Sequence, residues 1–344
     1  MTTPPEPPGQ PPYPPPAYPQ PVPAATGPRA WLEYHLLLRA GERGQWRYAV
    51  GLFVLAVLMY VVAPIVLIIP FVVWYVVQSG GDGAVLRSDL EALVDTTDPT
   101  PATLAYLLLS LSAAIPLTWL VVRTLHGLKP RWLASVRPRI RWRFLLACVG
   151  LSVVALLVNF VLSAVVPAPA AGGDVSGDPN AWSPTMRDFL LVILLLTPLQ
   201  AVGEEYAFRG YLTQAFGGLF GSRAAAVIGP AVLFALAHGL GQSVPIFIDR
   251  LAFGLVAGVL VILTGGLEAG IAFHVLNNWV AFTLAAVYLD MGDALNPTGG
   301  SWWDIPVTVV KSLVYVGLAV LVARRMGLTT TADPAVLEAS RRRV

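Results

Sequence analysis

An all-α, polytopic membrane helix bundle of about eight transmembrane helices, preceded by a disordered Pro-rich tail, is the fold class that three observations predict. Of the 344 residues, 56% are hydrophobic and only 12% charged, with a mean hydropathy of +0.68, whereas an average soluble domain carries roughly 25% charged residues. Eight segments are apolar over the ~20 helical residues needed to cross about 30 Å of hydrocarbon. The charges that remain are sorted by loop, with Arg and Lys in alternate connections, as cytoplasmic loops require.

The elements follow in chain order. Residues 1–30 form the tail: thirteen of the 30 prolines lie in its first 28 residues and no apolar run accompanies them, so it reads as polyproline-type chain and not as a signal peptide. Spans are expected near 48–77, 101–122, 144–166, 186–208, 224–243, 246–264, 267–289 and 305–323, within a transmembrane domain over 46–325, followed by a cytoplasmic tail, 326–344. The first span is overlong and holds Pro64 and Pro70, which predicts tilt, a kink or an interfacial turn. Arg29, Arg39, Arg43 and Arg47 precede it; Lys129, Arg131, Arg137, Arg139, Arg141 and Arg143 separate the second and third spans; Arg324 and Arg325 follow the last. The intervening loops are acidic. Both termini are therefore expected in the cytoplasm of a cell whose plasma membrane holds the protein, and the Arg-rich composition fits a bacterial one.

A formal net charge of +2 argues against nucleic acid as a partner; the bilayer is the expected one. The single cysteine, Cys148, lies in an apolar run, which excludes an internal disulfide and reads as packing.

A charge at the bilayer centre costs about 2.5–3.5 kcal/mol on insertion scales, so each polar residue in a span calls for a partner or a purpose. They are Glu204, Glu205, Arg209, His238, Asp249, Arg250, Glu268, His274, Asn277, Asn278 and Lys311. Glu205 and Arg209 are four apart and predict an ion pair on one helix face, leaving Glu204 about 100° away and without an intrahelical partner. His238 shares a face with Phe234, and His274 with Asn278. Three helices thus offer a carboxylate, two imidazoles and an amide.

Two chemistries fit that set. A dehydrated carboxylate can act as general base towards water, with His238 positioning the water and His274 and Asn278 stabilising an oxyanion, a plan for peptide hydrolysis. Alternatively Glu204, His238 and His274 can hold a metal, zinc being suited to two imidazoles and a carboxylate with an open water position. At 1.5 Å per residue Glu204 reaches the depth of His238 only if its helix runs on through "FRGYLTQAF" to about Phe216, so the longer helix is expected, with the site opening towards the cytoplasm. Asp249 and Arg250 read as interfacial, Glu268 as lying at a helix end, and Lys311 as snorkelling to the headgroups. Asn277 reads as helix packing. Gly254 and Gly258 have small-residue spacing for close helix approach. No HExxH or GxSxG occurs.

"EEYAFR", "FALAH" and "HVLNN" resemble, in order and spacing, the EExxxR, FxxxH and HxxxN motifs of the CPBP intramembrane proteases, or Abi family, which includes the type II CAAX prenyl endopeptidases. The resemblance covers residues 182–290. It implies an eight-helix membrane domain in which Glu204 and His238 activate water, His274 and Asn278 supply the oxyanion site or metal coordination, and Glu205 with Arg209 supports the glutamate helix. The implied activity is an intramembrane endopeptidase acting on a membrane-associated or lipidated peptide or protein. A non-hydrolytic membrane scaffold or bacteriocin-immunity protein is the alternative. A transporter is a third, against which the absence of a sequence repeat counts.

Overall fold

The computed structural model of the chain describes residues 31–166, 178–239, 241–297 and 299–339; the expected Pro-rich tail, 1–30, lies outside them. Apolar composition produces helices throughout, since a chain surrounded by hydrocarbon must satisfy its backbone polar groups within each segment. Seven helices are long and apolar enough to cross a membrane: α1 (Trp46–Gln78), α3 (Pro101–Leu125), α4 (Trp142–Val165), α5 (Pro184–Phe220), α7 (Val244–Thr264), α8 (Glu268–Tyr288) and α10 (Asp304–Arg325). Shorter helices are α2 (Gly83–Val94), α6 (Arg223–Ala237), α9 (Met291–Leu295) and α11 (Pro334–Ala339).

The expectation of eight long spans is therefore corrected to seven, with α6 the shorter helix. Its 15 residues extend for only about 22 Å. Cross-chain contacts nevertheless make α6 traverse the bundle. Arg223 at its start is bonded to Glu33, the Arg Nε lying 2.6 Å from Oε2; beyond its end, a Cβ added at Gly300 would lie 3.1 Å from Ser243 Oγ and 2.6 Å from Ile246. The two chain ends meet. Strand β1 (Leu32–Glu33) pairs antiparallel with β2 (Thr331–Ala332), in the register Leu32 to Ala332 and Glu33 to Thr331. At that same end Ser135 pairs with Gly266. At the opposite end Asn296 Nδ2 bonds Thr96 O, with the Thr96 hydroxyl 3.1 Å from Asn296 Oδ1, and Asn180 donates to Ala286 O and Leu289 O. α6 is thus the eighth helix that runs between the two ends, although only seven are long and apolar enough to cross a membrane.

The overlong first helix keeps Pro64 and Pro70 by a local change of pitch, a π-helical turn over Leu58–Val62, which accommodates an interrupted hydrogen-bond ladder. Two buried polar clamps lock helices together. Arg141 donates to Glu268 twice, from Nε to Oε1 at 2.8 Å and from Nη2 to Oε2 at 2.6 Å, and a third bond runs from Nη1 to Thr264 O at 2.9 Å. Glu268 thus does more than end a helix: it is fully buried and bidentate to arginine, the strong form of such a pair. Lys311 corrects the snorkelling expectation. It is buried and donates to Asn277 Oδ1 at 3.0 Å, because a partner on α8 lies nearer than the headgroups. Cys148 is buried as a packing residue. The end bearing both termini is filled by buried Tyr34, Leu37, Leu38, Trp132 and Leu133.

Candidate active site

Helix α5 carries the glutamates and is the longest element, 37 residues. It extends past the expected Phe216 to Phe220, where Gly221 in the left-handed region (φ 67°) ends it and donates its N–H to Gly217 O, a glycine C-cap. Within it, Glu205–Leu212 is π-helical, a widened turn found frequently at functional sites. No residue of "EYAFRGYL" announces that turn. Its consequence is that Glu205 and Arg209 remain close enough to pair, Nη1 to Oε1 at 3.2 Å, while the whole segment is buried.

Glu205 has no freedom left. Its Oε1 also lies 2.9 Å from His274 Nδ1, so α8 is hooked to α5 through this carboxylate. Arg209 is fixed from its other side by aromatic rings, its guanidinium carbon standing 4.1 Å from the Phe234 centroid and 5.6 Å from that of Phe253. Such stacking suits a planar, weakly hydrated cation. Glycine 270 allows the approach: a Cβ there would fall 2.5 Å from Glu205 Oε2.

Glu204 is different. Its Oε2 lies 3.4 Å from His274 Nε2, the one ion pair it makes among the described residues; like Glu205 Oε2 it has no hydrogen-bond partner, although the residue is buried. One imidazole therefore stands between two carboxylates, tied to Glu205 through Nδ1 and facing Glu204 through Nε2. The other histidine ends α6. His238 Nδ1 is 2.7 Å from Phe234 O; a carbonyl can only accept, so Nδ1 carries the hydrogen and a neutral ring leaves Nε2 as acceptor. Among the described residues no ion pair joins His238 to Glu204. His238 is the exposed member of the set and sits at the end of α6 away from the β1–β2 pairing.

Asn278 donates from Nδ2 to Gln200 Oε1 at 3.1 Å, on the helix that carries Glu204. Sequence reasoning missed Gln200. The signal was available, since it lies one helical turn before Glu204 and shares its face. Phe253, packed 5.1 Å from His274 between ring centroids, carried no such signal.

The region that contains this constellation is also where the chain is similar to known proteins. Residues 186–280 match the family described as type II CAAX prenyl endopeptidase Rce1-like. The likeness is confined to this segment. It holds all seven residues of the three motifs, and the family is one of proteases. An uncharacterised protein of Bacillus subtilis (strain 168), YyaK, is 27% identical over 220 residues, covering 60% of this chain and 71% of its own. No solved structure matches the chain.

Among the described residues no group of three or more His, Cys, Asp or Glu stands where it could hold an ion. The Nδ1 atoms of His274 and His238 are bonded to Glu205 and to Phe234 O, which leaves both Nε2 atoms free, the form in which a histidine binds a metal.

Proposed function

We propose that the protein is an intramembrane endopeptidase that hydrolyses a peptide bond of a membrane-associated or lipidated peptide or protein, with Glu204 as general base. One observation carries this reading: of two adjacent buried glutamates, Glu205 is paired with both Arg209 and His274, whereas Glu204 has no arginine partner and is paired with His274 alone. A water bound between Glu204 and the acceptor nitrogen of His238 loses a proton to the carboxylate as its oxygen bonds the scissile carbonyl carbon. His274 Nε2, 3.4 Å away, shares that proton. Asn278 spends one amide hydrogen on Gln200 and has a second for the developing oxyanion. Collapse of the tetrahedral species breaks the C–N bond, and the proton passes to the leaving nitrogen. General-base help of this kind contributes about 100- to 10,000-fold.

The Arg-rich loops lie at the end where the termini meet, which supports a plasma-membrane orientation with both termini cytoplasmic. The substrate then enters past exposed His238 and the 241–243 turn.

The test is cleavage of a membrane-peptide library by purified protein in detergent. Glu204→Gln is expected to lower kcat at least about 100-fold with unchanged thermal stability. Glu205→Gln is expected to lower the melting temperature as well, since it breaks a buried ion pair. Equal loss of stability in both variants would remove the distinction on which the mechanism rests. Activity abolished by chelator and restored by zinc would replace glutamate-and-water chemistry with zinc chemistry, and a wild type that cleaves nothing while binding a membrane partner would make the protein a scaffold.

A further inference from the structure

Arg141, Arg209 and Lys311 are buried and partnered, by Glu268, Glu205 and Asn277. Arg250 differs. Its guanidinium makes no hydrogen bond or ion pair among the described residues, and its Nε is enclosed without a partner. The adjacent Asp249 is not bonded to it, and its charge acts on Lys311 as well as on Arg250.

Position gives the exception a meaning. Arg250 lies in the second turn of α7, which starts at Val244 just beyond the exposed His238. Its charge acts on both His238 and Glu204. Measured along the helices, Arg250 is about 22 Å from the Gly265 end of α7, whereas His274 is about 9 Å from the adjoining Glu268 end of α8. The cation thus stands half-buried on the exposed side of the carboxylates. A partly desolvated guanidinium that no carboxylate is bonded to favours a planar anion that can meet its fork with two parallel bonds.

Resting on the protease reading for its occupant, we propose that Arg250 is a substrate-binding residue that pairs with a carboxylate of the peptide and so sets the protein's preference for an anionic substrate. The carboxylate can belong to a chain terminus or to an Asp or Glu side chain, and the experiment separates them.

Purified Glu204→Gln protein in nanodiscs of phosphatidylcholine is titrated with fluorescent apolar peptides in matched pairs, free acid against C-terminal amide, and internal Glu against Gln. The same pairs are titrated against Glu204→Gln carrying Arg250→Gln or Arg250→Lys. One pair is expected to show about 10- to 100-fold tighter binding of the anionic member, the worth of one charge-assisted pair, with the preference lost in Arg250→Gln and partly kept in Arg250→Lys. The pair that discriminates names the carboxylate. Absence of discrimination, or its survival in Arg250→Gln, overturns the proposal, as does a preference that vanishes in phosphatidylglycerol nanodiscs, which would make the lipid headgroup the ligand. Binding is read without turnover, so a protein that discriminates but never cleaves would sink the protease reading alone.

Discussion

At the scale of single residues, the chain separates charges by what surrounds them. Glu204 and Glu205 are neighbours, yet Glu205 is paired with Arg209 and His274 while Glu204 is paired with the histidine alone. His126 shows the opposite case, a titratable group kept neutral. It closes α3, is fully buried, stacks on Tyr48 at 5.4 Å and lies 3.0 Å through Nε2 from the Tyr211 hydroxyl. Burial, reinforced by nearby Arg47, pushes its pKa down to about 4. Its ordinary value is about 6.5, so above that pH the ring is neutral in both folded and unfolded chains and contributes no pH dependence. As pH falls from about 6.5 to about 4, the unfolded chain takes up the proton and the folded one does not, and stability declines by an amount approaching 3 kcal/mol. Melting of the detergent-solubilised protein between pH 7.5 and 4.5 checks this: the fall on acidification is expected to be shallower in His126→Gln, and parallel curves for the two proteins would refute the assignment.

At the scale of elements, helix contacts in this bundle are set by glycines whose neighbours are backbone. Gly203, beside Glu204, would place a Cβ 2.5 Å from Leu111 O on α3. Gly150 in α4 would meet nothing within 4 Å. Gly203→Ala is therefore expected to destabilise by about 1–3 kcal/mol through overpacking against an atom that cannot rotate away, whereas Gly150→Ala is expected to be neutral or to stabilise by up to about 1 kcal/mol through helix propensity. Thermal melts of the two variants decide it, and equal effects would show that α3 and α5 are not in close register. The contrast also shows what was legible in the sequence. The long helices, the Glu205–Arg209 pair and the extension of α5 past the motif followed from hydropathy, four-residue spacing and rise per residue. The π turn over Glu205–Leu212, the Gln200 bridge to Asn278, and the capture of Glu268 by Arg141 across 127 positions did not. Each depends on which faces meet, and an apolar helix has no polar stripe from which to read its facing neighbour.

At the scale of the whole molecule, the argument turns on α6. By length it is a poor span, and by sequence it passed as an ordinary one, yet the contacts at its two ends belong to opposite ends of the bundle. Arg223 is held by Glu33, in the strand that pairs with Thr331–Ala332; the chain beyond its C-terminus lies against Gly300, near the end where Asn296 meets Thr96. A helix of about 22 Å can connect those ends because α5 runs on to Phe220 and the polar stretch after Ala237 lies within the bundle's depth, which is also what leaves His238 exposed beside a buried Glu204. The short helix and the accessible site are thus one feature. Ala224 and Gly241 are exposed at the two ends of α6, and the native thiol, Cys148, is buried, so single Ala224→Cys and Gly241→Cys variants report sidedness cleanly. In intact cells a membrane-impermeant maleimide is expected to label the Gly241 position, and to label the Ala224 position only after permeabilisation. Labelling of both from one side would make α6 a re-entrant hairpin. The chain would then cross seven times, the β1–β2 pairing of its ends would be impossible in a membrane, and entry past His238 would have to be moved to the face that carries the termini.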